Sequence, residues 1–95
     1  MKDLLKDPTL LRTQAYINGK WVASDSGETF PVLNPATHEV IAEVASVGGA
    51  ETRRAIEAAE VAQKAWAART PLERSAILRK WTDLILENVE DLAII

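Results

Sequence analysis

Ninety-five residues make at most one small domain, since typical domains hold roughly 100–150, and 47% hydrophobic with 26% charged residues excludes a disordered or low-complexity chain. Eleven Lys and Arg against fourteen Asp and Glu leave a net charge of −3, which lacks the clustered positive charge that nucleic-acid binding needs. With no cysteine there is no disulfide, thiolate metal site or cysteine nucleophile in these residues, and no stretch reaches the ~20 apolar residues of a membrane span or the apolar core of a secretory leader, so the expected location is the cytoplasm.

Asp7-Pro8 reads as an N-cap followed by proline at the first helical position, where its missing N–H would have no partner anyway, and predicts a short helix through about Thr13. In Tyr16-Ile17-Asn18-Gly19-Lys20-Trp21-Val22, Asn-Gly sits between two β-prone runs. Both residues tolerate the positive φ of a two-residue hairpin turn, so Tyr16 is expected opposite Trp21. Ser24-Asp25-Ser26-Gly27 is a second turn, followed by a strand from Thr29 to Leu33 whose Pro31, lacking a donor, suits an edge. Asn34-Pro35-Ala36-Thr37 suits a type I turn with the Asn34 side chain accepting from the backbone two residues on, and His38 just after it suits positive φ. Glu39 to Ala45 then reads as a strand with Val40, Ala42 and Val44 on one face and Ile41 on the other, in an antiparallel sheet wet on one side.

After Gly48-Gly49 the period of the apolar residues changes from two to 3.6. Glu51 through Ala68 predicts a helix with Ala55, Ile56, Ala59, Ala62 and Trp66 along one stripe, small enough for close packing on another element. Thr70-Pro71-Leu72-Glu73 carries a capping box and starts a second helix, whose Ile77, Leu78, Trp81, Leu84 and Ile85 form a broad stripe and which ends or kinks near Asn88. Asn88, with Glu90 and Asp91 behind it, looks like a fresh cap opening a third helix. The apolar finish Ala93-Ile94-Ile95, without a glycine or a basic last turn, is expected of a truncated helix. The fold class is therefore α+β: short antiparallel strands in residues 15–45, two helices and the start of a third.

The catalytic inventory is thin. His38 is the single histidine; Ser24, Ser26, Ser46 and Ser75 have no nucleophile-elbow setting; the carboxylates read as solvated surface. Gly19, Gly27, Gly48 and Gly49 lack the spacing of a phosphate-binding loop. Trp21, Trp66 and Trp81 read as packing residues, and Arg53, Arg54 and Arg69, with a Glu60–Lys64 pair, read as a solubilising face. No catalytic, cofactor-binding or metal-binding residue is assigned.

Taken in order, Tyr16 to Trp21, Ser26-Gly27-Glu28-Thr29-Phe30, Asn34 to Ile41, Glu51 to Trp66 and Thr70 to Arg74 resemble the N-terminus of an aldehyde dehydrogenase, from about residue 10 onward. The leader Leu10-Leu11-Arg12-Thr13-Gln14-Ala15 is most similar to the bacterial succinate-semialdehyde dehydrogenase branch. Many relatives carry glycine where this chain has His38. The resemblance implies an α/β parent enzyme with a Rossmann-type cofactor domain, of which residues 1–95 are the truncated N-terminal part, the catalytic domain being absent. In that parent a cysteine thiolate attacks the aldehyde, hydride passes to NAD or NADP, and a glutamate-activated water releases the acid. None of those residues has a counterpart here. The chain alone is therefore expected to bind no cofactor and to be inactive, and its partner is the remainder of its own parent chain, itself expected to be a homo-oligomer. Ala59, Ala62, Trp66, Ile77, Leu78 and Trp81 are the candidate contacts to that remainder. The alternative is a self-contained interaction module using the Trp66 and Trp81 stripes.

Overall fold

The computed structural model describes residues 1–95 and divides into two units, Thr13–Ala62 and a second built from Met1–Arg12 with Gln63–Ile95.

The first unit opens on the hairpin β1 (Ala15–Ile17) and β2 (Lys20–Val22), turned by Asn18 at φ 52° and Gly19 at φ 78°. Positive φ at both positions matches the right-handed strand twist, which is why Asn-Gly fixes this register. Tyr16 faces Trp21, and their rings lie 5.0 Å apart at 53°. Gly27, at φ 75°, closes the second turn by donating to the Ser24 carbonyl at 3.0 Å.

The strands β3 (Thr29–Leu33) and β4 (Val40–Ala45) pair antiparallel as a second two-stranded sheet, so the strands do not merge into one sheet. Asn34 Oδ1 accepts from the Ala36 amide at 2.8 Å, and His38 takes φ 63°, as the turn chemistry requires. The Asn34 amide donates to the Glu39 carbonyl, which closes the turn, and the strand begins at Val40 rather than Glu39. The pairing runs from Thr29 opposite Ala45 to Val32 opposite Ala42, then slips so that Leu33 faces Val40. That extra residue changes which face each side chain takes. Val40 is 57% exposed while Ile41 is half-buried, the reverse of what strict alternation predicts. The helix α1 (Gly49–Ala68) starts two residues before the expected Glu51, with the Thr52 amide and hydroxyl both donating to the Gly48 carbonyl.

In the second unit the expected helix from Pro8 to Thr13 is only a 3-10 turn, Pro8–Leu10, preceded by another at Lys2–Leu4. Asp7 caps it by accepting from the Thr9 amide at 3.0 Å, but so short a segment cannot offset the cost of a helical nucleus, and Leu11 is extended. The helix α2 (Pro71–Glu87) has the full capping box: the Glu73 amide donates to Thr70 Oγ1 at 3.2 Å, and the Thr70 amide to Glu73 Oε1 at 3.4 Å. Thr70→Ala will lower the stability of α2 by about 1 kcal/mol. Far-UV circular dichroism in a urea series reads that loss, and Thr70→Ser shows almost none of it. The helix α3 (Val89–Ile94) follows directly. Asn88 does not cap it as expected; its side-chain amide instead donates back to the Leu84 carbonyl at 2.8 Å, finishing α2.

The buried apolar residues reduce to Leu5, 7% exposed. Total accessible surface is 7579 Å², whereas a folded monomer of this mass exposes about 5,400 Å². No helix is long and apolar enough to cross a membrane.

Candidate functional site

The buried polar residues are Ser24, Glu51 and Asp91. The two carboxylates are built alike: each is the third residue of its helix, where the unpaired N–H groups and the helix dipole favour negative charge.

Glu51 reaches back to the Ser24–Gly27 turn and accepts from the Asp25 amide at 3.2 Å. Its own backbone N–H, then that of Asp25, hold its carboxyl below the usual glutamate range against the opposing effect of burial. Asp25 in turn receives a two-pronged contact from Arg54, at 2.6 and 2.9 Å. The guanidinium hydrogen bond holds Asp25 below the usual carboxylate range and raises Arg54 above its own. Arg54 is thus the pin of this turn rather than a residue of a purely solubilising face, and the expected Glu60–Lys64 pair does not close. An acid placed just after Gly48-Gly49 was the available signal for Glu51; nothing local points from Arg54 to Asp25.

The serines serve the turns. Ser24 Oγ donates to the Glu28 carbonyl at 2.8 Å, and Ser26 Oγ accepts from the Glu28 amide at 3.2 Å. His38 lies in the turn before β4, and the Ser24 and Ser26 hydroxyls bond Glu28 instead. Glu51 and Asp91 are occupied as hydrogen-bond acceptors, and no three His, Asp or Glu side chains converge on a point that would hold a metal ion. Gly48-Gly49 opens α1 with free N–H groups of the kind that hold phosphates, but the Glu51 carboxylate turns back onto its own amide at that helix start. A dinucleotide phosphate placed there would meet the Glu51 negative charge.

What this chain presents instead is surface. In the first unit the alanine stripe Ala55, Ala58, Ala59 and Ala62 and the hairpin tip line a groove of about 320 Å³. In the second, α2 carries a groove of about 530 Å³ along Pro71, Arg74, Ser75, Leu78, Arg79 and Thr82. Ile77, Leu78 and Trp81 are 43%, 48% and 63% exposed. Ala59 and Ala62 are exposed and Trp66 half-buried. Arg74 Nε is shielded from solvent yet has no acceptor, a state that calls for a partner group.

The profile of the aldehyde dehydrogenase family matches residues 21–95. Glutarate-semialdehyde dehydrogenase of Pseudomonas putida is 60% identical over 89 residues, which span 94% of this chain and 18% of that protein. The NADP(+) succinate-semialdehyde dehydrogenase of Escherichia coli is 46% identical over 89 residues, again 94% of this chain and 18% of its own length. The crystal structure of succinate-semialdehyde dehydrogenase from Burkholderia pseudomallei superposes with a TM-score of 0.91 at 54% identity, covering 95% of this chain and 19% of that one. The chain thus spans less than a fifth of the length of these relatives.

Proposed function

The chain belongs to the aldehyde dehydrogenase family, and on that premise we propose that residues 1–95 are the N-terminal part of the cofactor-binding domain of an NAD(P)-dependent enzyme that oxidises an aldehyde to its carboxylic acid. Their role is structural, and they are inactive alone. The catalytic domain lies outside them, as do the residues that hold NAD or NADP. The substrate class is a short aldehyde bearing a remote carboxylate, the chemistry common to the glutarate and succinate semialdehydes named for the relatives. Succinate semialdehyde is the member that the leader Leu10 to Ala15 favours. The parent works in the cytoplasm as a homo-oligomer.

The observation that carries this reading is the open face of α2. A helix with an amphipathic stripe buries it in a finished fold, whereas here Ile77, Leu78, Trp81, Leu84 and Ile85 all stay more than 40% exposed, beside the unpaired Arg74 Nε. The remainder of the parent chain supplies the cover and the missing acceptor.

Grafting residues 1–95 in place of the matching segment of the Pseudomonas putida enzyme tests this directly. The chimera is expected to reduce NAD(P)+ in the presence of glutarate or succinate semialdehyde, while the 95-residue chain gives no turnover above a protein-free blank. A soluble chimera without activity, or turnover by the chain alone, overturns the proposal.

A further inference from the structure

The residues before β1 do not hang free. Both oxygens of the Asp91 carboxylate accept backbone N–H groups from the N-terminal segment, Oδ1 from Lys6 and Oδ2 from Asp7, each at 2.9 Å. Asp91 is 4% exposed, and the neighbouring Leu5 is the buried apolar residue of the chain. Lys6 Nζ pairs with Glu90, one position before Asp91. Asp7 caps the 3-10 turn that follows, fixing the direction in which the segment leaves. A backbone amide cannot be exchanged for another by substitution, so an acceptor that holds two consecutive amides grips the segment by its main chain rather than by any one side chain.

We propose that residues 1–12 form a strap latched onto α3 by the Asp91 carboxylate, and that neutralising this one group releases the strap and uncovers Leu5 while α2 stays formed. The charged groups facing the latch are Lys6 and Asp7 on the strap, Glu90 beside Asp91 on α3, and Glu87 at the end of α2. Of these only Lys6 is positive, and it is already shared with Glu90. Two N–H donors on an ionised carboxylate stabilise the charged form, and the Lys6 and Asp7 amides hold Asp91 below the usual aspartate range. A depressed native value means that the latch is complete above the ordinary carboxylate range and is lost as pH falls through that lowered value.

Amide hydrogen exchange of the soluble chimera with the Pseudomonas putida enzyme, read residue by residue by mass spectrometry, provides the test. In the unaltered chimera the Lys6 and Asp7 amides should be protected at least about tenfold over those of Lys2 and Asp3. On acidification that protection should be lost at both amides over the same pH range. Asp91→Asn keeps the size but turns an N–H donor toward an N–H donor, and should abolish that protection while the Glu73 amide in the Thr70 capping box keeps its own. Unprotected Lys6 and Asp7 amides in the unaltered chimera, loss over separate pH ranges, or unchanged protection in Asp91→Asn each overturn the latch. Equal loss at Glu73 overturns it too, because Asp91 would then support the whole unit rather than a strap.

Discussion

The 95-residue chain on its own will unfold without a cooperative thermal transition, bind an apolar dye and self-associate as its concentration rises. It exposes 7579 Å², about 2,200 Å² beyond a folded monomer of its mass. If 55–60% of that excess is apolar, the forgone burial amounts to about 30 kcal/mol at ~25 cal/mol per Å². The whole net stability of a domain is only about 5–15 kcal/mol. Helical circular dichroism should persist, because the capping box and the turns are local, whereas a sharp calorimetric peak should be missing. A single cooperative transition with no dye binding would instead favour a self-contained module, the reading that competes with the parent enzyme.

Trp81→Asp should have opposite consequences in two settings. In the chain alone Trp81 is 63% exposed, so the substitution changes stability by about 0.5 kcal/mol or less and reduces self-association. In the chimera with the Pseudomonas putida enzyme the proposed cover places the same position inside the fold. There the loss of the indole removes about 3–5 kcal/mol and an unpaired carboxylate is buried besides, so soluble active enzyme should fall at least tenfold. Trp81→Phe should keep most of the activity. Equal tolerance of Trp81→Asp in both settings would mean that the stripe of α2 is not the covered face.

The turns and caps were legible from sequence because their chemistry is local. Asn18-Gly19, Asn34-Pro35 with His38, and Thr70-Pro71 with Glu73 each lie where backbone angles and near-neighbour hydrogen bonds demand. The resemblance likewise carried the family and the α/β parent, since it rests on ordered segments rather than on any one residue. What escaped was decided by residues far apart in the chain or by a single inserted residue. The extra residue Ile41, opposite the step from Val32 to Leu33, reverses Val40 and Ile41 although both strands alternate correctly on paper. Asn88 has cap chemistry in either direction, and the end of α2 wins. Glu51 and Asp91 read as surface acids because their donors, on Asp25 and on Lys6 and Asp7, belong to turns that sequence spacing cannot bring beside them.

The contact between Lys6 and Asp91 bridges 85 positions of sequence, and that span imposes an order of events during synthesis. A ribosome adding about 5–20 residues per second needs about 4–17 s to make the residues between them. The Asn18-Gly19 hairpin needs only microseconds once its strands are clear of the exit tunnel. Lys6 and Asp7 therefore leave the ribosome seconds before the carboxylate that holds them exists, and they wait unlatched while the hairpin behind them is already formed.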